Sequence, residues 1–323
     1  KNFANYGGGI YNTGTCTVTG STINGNAATY GGGIDNYYGT LNVSGCDFEF
    51  NQAFNGKAIY NSGGDTSNQV VQFCRFYDQE NCYEIYAYSG TMDAQYNWWG
   101  SNKNPISKVY GDVDVSPWLV LDIDASPVFI GKNDSSTITA NLWYDSDGNY
   151  HNPTGEHIKD GIPVSFYTTI GIISTPKSTS NGSAVSTLTA GLVSGEAGVY
   201  AFLDDQFVKT YVVIDATSPT VTAIDPKDNA VINDTSKVVT VTFNEAVQEG
   251  TAYDNISITC NGTPISVVTS LNDNILTITN TETYTDGTYT ITIPSGAVMD
   301  VAGNGIDTYT SQFTVDTTSP EVT

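Results

Sequence analysis

Isoleucine returns through the first third of the chain at a nearly fixed step. Ile10, Ile34, Ile59 and Ile85 lie 24, 25 and 26 residues apart. A second set keeps time with the first: Val18, Val43, Val71 and Ala94 each stand five residues before Ile23, Phe48, Phe76 and Trp99. Between these positions the chain is mostly Gly, Asn, Thr and Ser. YGGGIYN at 6–12 returns as YGGGIDN at 30–36, then decays to GKAIYN at 56–61 and YEIYAY at 83–88. A unit of about 24 residues buries no core alone, so a repeat of this length predicts stacked coils. Within a unit, Leu41 and Val43 alternate with Thr40, Asn42 and Ser44, which is the two-residue period of a strand. The prediction is a right-handed parallel β-helix over residues 1–118, its coils stacked about 4.8 Å apart, its core a column of Ile, Val, Phe and Cys. Gly7–Gly9 and Gly31–Gly33 fit backbone positions with φ > 0 or close chain approach. Cys46 and Cys74 share a column position with Ser21 and Asn97, which predicts an inward thiol ladder rather than a disulfide.

The glycine period stops near residue 118, and longer alternating strands begin. SSTITANLWYDSDGN (135–149), GIPVSFYTTIG (161–171), SAVSTLTAG (183–191) and GVYAFLDDQFVKTYVVI (198–214), with turn clusters between strands, read as a β-sandwich. IDATSPTVT at 214–222 is matched by VDTTSPEVT at 315–323, an offset of 101 residues from Asp215 to Asp316. That offset is a module length. The predicted organisation is therefore all-β: a β-helix with its cap over 1–118, two Ig-like sandwiches over 119–216 and 217–316, and the start of a further module at 317–323. The chain opens mid-pattern, which implies a piece of a longer protein.

The pair Trp98–Trp99 lies where the repeat fades. The ladder sends Trp99 into the core and Trp98 the other way, towards solvent or the departing chain. YNWWGSNKNP (96–105) thus reads as the last coil and the start of the cap.

Composition narrows function. The formal charge is −23, with 5 Lys/Arg against 10 Asp/Glu in residues 1–118 and 6 against 24 in the remainder. Such a chain repels phosphate backbones, so nucleic acid is no partner. There is no apolar run long enough for a transmembrane helix. The 5 Cys and 2 His show no zinc or thioredoxin-like spacing.

YGGGIYN resembles the glycine-rich repeats of polymorphic outer-membrane-type and adhesin-like β-helices, and NWWGSNKNP resembles the element that closes many of them. The turn Asp145, Asp147, Gly148, Asn149 before PVSF, with AG…SGEAGVYAF, resembles the bacterial Ig-like domains of invasin and intimin. TFNEAV (242–247) and DVAGN (300–304) resemble Ig-like domains of surface-layer proteins. The order of modules most resembles adhesin-like surface proteins of methanogenic archaea. That resemblance implies an extracellular, monomeric protein at the cell surface, binding glycans or proteins of a neighbouring cell.

If Ile10, Ile59 and Ile85 point inward, alternation turns Tyr11, Tyr60 and Tyr86 outward. Stacking aligns them in a column interrupted by Asp35, with Tyr37 and Tyr38 crowding a nearby turn. Flat aromatic faces beside Asn and Asp suit carbohydrate, so Tyr11, Tyr37, Tyr60 and Tyr86 are the candidate ligand-binding residues; surface packing of β-prone tyrosine explains them equally well. Asp145, Asp147 and Asn149 have the alternate spacing of a calcium loop, and Glu156 the place of its last ligand, but Gly148 stands at the fourth position instead of the sixth. No other cofactor is implied. A polysaccharide hydrolase or lyase on the β-helix is the alternative function. Asp35, Asp47, Glu49, Asp78, Glu80 and Glu84 are the available carboxylates, and residues 1–118 hold no His and one Arg, Arg75. No catalytic residue is assigned. A purely structural envelope protein is the third reading.

Overall fold

The computed structural model describes residues 1–63, 69–77 and 82–319. It is all-β, with short 3₁₀ turns at Pro105–Lys108 and Tyr253–Asn255 as the helical elements among the described residues. Two compact units emerge. The first comprises 1–127, 136–188 and 197–212, and the second 128–135, 189–196 and 213–323.

The first unit begins with a parallel β-helix. Its strands pair in parallel with the register that the repeat predicts: Ile10 with Ile34, Ile34 with Ile59, and Ile59 with Ile85. Val18 pairs with Val43 and Val43 with Val71, while Ile23 pairs with Phe48 and Phe48 with Phe76. Phe48, Phe76 and Trp99 then stack as rings 5.1 and 4.5 Å apart. Trp99 is therefore the core residue that the ladder required. Gly7, Gly31 and Gly56 share a column and a left-handed φ of 56°, 63° and 65°. Gly8 packs against the next coil so closely that a Cβ would lie 2.5 Å from the Gly32 carbonyl. Both reasons for glycine in YGGG hold, at different positions of the motif.

Three features depart from expectation or add to it. The β-helix runs one rung beyond the last coil expected at 96–105, because Val109–Asp114 pairs in parallel with Ile85–Asp93, Val109 opposite Ile85. Trp98 does not reach solvent; it is fully buried. Asparagine also forms ladders. Asn12 Nδ2 donates to Asn36 Oδ1 at 2.6 Å, and Asn36 Nδ2 to Asn61 Oδ1 at 2.8 Å. A second ladder links Asn26 to Asn51. Each buried amide finds its partner one coil away, which keeps the register of the stack as well as satisfying polar atoms. Cys46 and Cys74 are buried free thiols, as the column position implied.

Strands from Leu119 to Asp215 form sheets of four and five strands, and those from Val221 to Val315 form sheets of four and five with one further two-stranded pair. The core of the second set includes Val241, Phe243, Ile278, Ile291 and Phe313. It is the alternation of these residues along their strands that makes two apolar inner faces.

Candidate functional site

The tyrosine face of the β-helix follows from one register column. Tyr11 pairs with Asp35, Asp35 with Tyr60, Tyr60 with Tyr86, and Tyr86 with Tyr110. Where two tyrosines are neighbours in that column their rings stack: Tyr60 and Tyr86 at 5.6 Å, Tyr86 and Tyr110 at 4.3 Å. A flanking column, Tyr6 over Tyr30, stacks at 5.6 Å, and Tyr30 reaches Tyr60 at 5.0 Å. Tyr37 lies 6.1 Å from Tyr11 and holds Tyr38 edge-on at 4.7 Å. The four sequence-predicted residues Tyr11, Tyr37, Tyr60 and Tyr86 thus lie on one aromatic surface.

Asp35 makes a gap in it. A carboxylate stands where the column would place a ring, and a pocket of about 250 Å³ opens over it. Tyr6, Tyr30, Tyr37 and Tyr38 wall one part of this pocket, and Tyr60, Ser62 and Tyr88 the other. Asp35 itself is only 1% exposed. Neither of its oxygens has a hydrogen-bond partner among the described residues, and neither does Ser62 Oγ. Burial pushes the Asp35 carboxyl up to about 6, because a charged group out of water and without a counter-charge is disfavoured. Burial likewise raises Tyr60 to about 12, with nearby Tyr30 and Asp35 adding to the rise. The predicted set therefore holds Tyr37 and Tyr60 at the pocket, with Tyr11 and Tyr86 on the adjoining ladder. Sequence reasoning placed Tyr38 beside Tyr37 but missed Tyr6, Tyr30, Tyr88 and the role of Asp35. The signal was present in part: Tyr6 and Tyr30 open the two YGGG motifs, and IDN replaces IYN at Asp35.

A second buried carboxylate has the opposite surroundings. Arg75 Nη1 donates to Asp47 Oδ1 at 2.8 Å and also to Glu49 Oε1. Its Nε and Nη2 form a bidentate pair with Asp204, the Nε bond being 2.9 Å. Asp204 sits in the tight turn between Gly195–Leu203 and Gln206–Asp215 with φ 53°. It also accepts the Trp98 Nε1 hydrogen at 2.7 Å. This bond is why Trp98 is buried: its indole nitrogen and the guanidinium both serve one carboxylate. Asp47 and Glu49, two of the carboxylates available to a hydrolase, are thus committed to Arg75. Asp78 and Glu80 lie outside the described residues, and Glu84 is buried.

At the calcium-like turn, Asp145 Oδ1 accepts the backbone N–H groups of Asp147 and Asn149 at 3.0 and 2.9 Å. Its Oδ2 lies 2.9 Å from His151 Nε2. Asp145 is buried, whereas Asp147 and Asn149 are exposed. Among the described residues, one trio of carboxylates converges elsewhere: Asp215, Glu245 and Asp300 place oxygens within 4.8 Å of one another. Asp300 accepts the Asn304 N–H and Nδ2, both at 2.8 Å. Burial raises the Glu245 carboxyl, with Asp300 and Asp215 adding to it. Asp300 and Asn304 are the ends of the DVAGN motif, so that motif closes a turn onto its own carboxylate.

Residues 215–315 match the family model of the bacterial Ig-like domain. No curated protein matches the chain. Solved structures that resemble it include CopC from Methylosinus trichosporium OB3b, at 22% identity over 31% of this chain and 94% of that one, with a TM-score of 0.26. The C-terminal fragment of intimin, in complex with the intimin-binding domain of its translocated receptor, is 20% identical over 58% of this chain and 62% of that one, with a TM-score of 0.34. The Escherichia coli adhesin FdeC is 14% identical over 63% of this chain and 68% of that one, with a TM-score of 0.40. The chain is thus an all-β protein in which a parallel β-helix is followed by Ig-like sandwiches.

Proposed function

We propose that this chain is an adhesin-like protein of the cell surface whose β-helix presents the tyrosine face to glycans or proteins of a neighbouring cell. The observation that carries this reading is the register-aligned column of Tyr11, Asp35, Tyr60, Tyr86 and Tyr110 along one side of the coils, in which Tyr60, Tyr86 and Tyr110 stack. Aromatic side chains that stay at a surface supply large, rigid contact area with a polar tip, which suits recognition. The bacterial Ig-like match over 215–315 supports a secreted, modular protein. The commitment of Asp47 and Glu49 to Arg75 leaves the hydrolase reading without its nearest carboxylate pair.

The test is adhesion by the whole chain. Replacing both Tyr60 and Tyr86 by Ala is expected to lower binding to cells, or to an array of their surface glycans, by tenfold or more. Equal binding by the parent and the double variant, with both folded, removes the reading.

A further inference from the structure

We propose that the pocket over Asp35 receives a protonated amine: the ammonium group of an amino sugar or of an alkylamine side chain. The inference deepens the adhesion reading by giving the tyrosine face a ligand chemistry, and it rests on geometry that stands apart from adhesion.

The pocket has an unused acceptor set at its floor. Both Asp35 oxygens and Ser62 Oγ lack partners among the described residues while nearly enclosed. Buried polar atoms in folded proteins are almost always bonded, so an orphan carboxylate needs an explanation. The walls supply it. Tyrosine faces attract cations, and rings around a carboxylate make a cage for an organic ammonium. Tyr38 and Tyr88 line the pocket at 67% and 71% exposure; the Asp35 oxygens are closed to solvent in the free chain, so the lining side chains must part for a ligand to reach them.

Other ligand classes fit less well. A hard metal ion wants several oxygen ligands, and here one carboxylate and one hydroxyl face tyrosine rings. A neutral sugar hydroxyl offers one donor but no charge to match the carboxylate. An ammonium offers three N–H donors and the charge together. The volume, about 250 Å³, is below that of a usual whole-ligand site. It suits the end group of something larger. Among the described residues no Lys, Arg or His lines the pocket, so none of them already plays the ligand's part there.

The experiment is calorimetric titration of the full chain at pH 7.5 with n-butylamine and glucosamine. The neutral counterparts n-butanol and N-acetylglucosamine serve as controls. At least one amine is expected to bind ten times more tightly than its neutral partner, and the better of the two says whether an alkyl or a sugar carrier is preferred. Asp35→Asn keeps the shape and is expected to weaken amine binding at least tenfold. Tyr38→Ala, at an exposed rim position, is expected to weaken it about threefold. No amine binding, equal binding of amine and neutral partner, or undiminished binding by folded Asp35→Asn overturns the proposal. Amine binding by a chain that does not adhere to cells upholds the pocket and removes the adhesion reading; adhesion without amine binding does the reverse.

Discussion

Asp35 and Asp47 share one coil of the β-helix, and each is almost fully buried at 1% and 4% exposure. Burial raises the carboxyl of each to about 6, with Arg75 pulling Asp47 back against that rise. Their company differs. Asp47 joins Arg75, which also holds Glu49 and Asp204. Asp35 has rings around it and no hydrogen-bond partner among the described residues. A buried charge inside a complete hydrogen-bonded set serves architecture, because every member is accounted for. A buried charge without a set costs stability and is retained where something outside the chain completes it. The same coil holds both kinds.

The largest effect comes from breaking the paired side. Arg75→Met leaves Asp47, Glu49 and Asp204 crowded without their cation, and removing one partner of a buried ion pair costs about 3–5 kcal/mol. Urea unfolding should show a loss of that size; a loss under about 1 kcal/mol would place the cluster among ordinary surface pairs. Asn36→Ala disrupts a neutral set of the same kind. Asn36 bonds Asn12, Gly39, Asn61 and Gln69, and stranding those partners should cost about 2–3 kcal/mol in the same measurement.

The unpaired side responds with the opposite sign. The folded-state pKa of Asp35 is raised to about 6 from an ordinary value of 3.8, so the folded chain holds the proton more tightly than the unfolded chain. The parent loses stability from this residue as pH rises from about 4 through 6, and the loss is constant above that. Asp35→Asn escapes it. The variant should match the parent near pH 4 and exceed it by about 1–2 kcal/mol at pH 7, a discounted reading of the shift. Midpoints of urea unfolding across that range check it, and a variant that is weaker at pH 7 would mean that Asp35 has an internal partner. The smallest effect belongs to an exposed carboxylate. Asp147→Ala should leave the melting temperature unchanged, in calcium and in chelator alike, since Asp145 already spends its oxygens on the turn. A calcium-dependent gap between variant and parent would make Asp147 a ligand.

The fold was readable because its repeat is written in single residues. Ile10, Ile34, Ile59 and Ile85 pair directly with one another, and a strand period of two then sets which neighbours face outward. The added rung at Val109 was obscured because it lacks the YGGG motif, although Ile85 to Val109 keeps a 24-residue step. The Asn12–Asn36–Asn61 ladder also had a visible period, but Asn is so frequent here that its inward direction did not stand out. Trp98 and Asp204 could not be linked from sequence, since 106 residues separate them and the contact depends on how a sandwich turn meets the last coil. The tyrosine column was visible; the pocket was not. Alternation shows that Asp35 replaces a ring, but only packing shows that the rings of other columns close over it and leave its oxygens unpaired.

The most direct measurement is the pKa of Asp35, followed through its carboxyl carbon by NMR in the full chain, with and without n-butylamine. The account predicts a value near 6 in the free chain and a fall towards the ordinary carboxylate range when the ammonium is bound. A free-chain value already near 4, or one that the amine leaves in place, would contradict it.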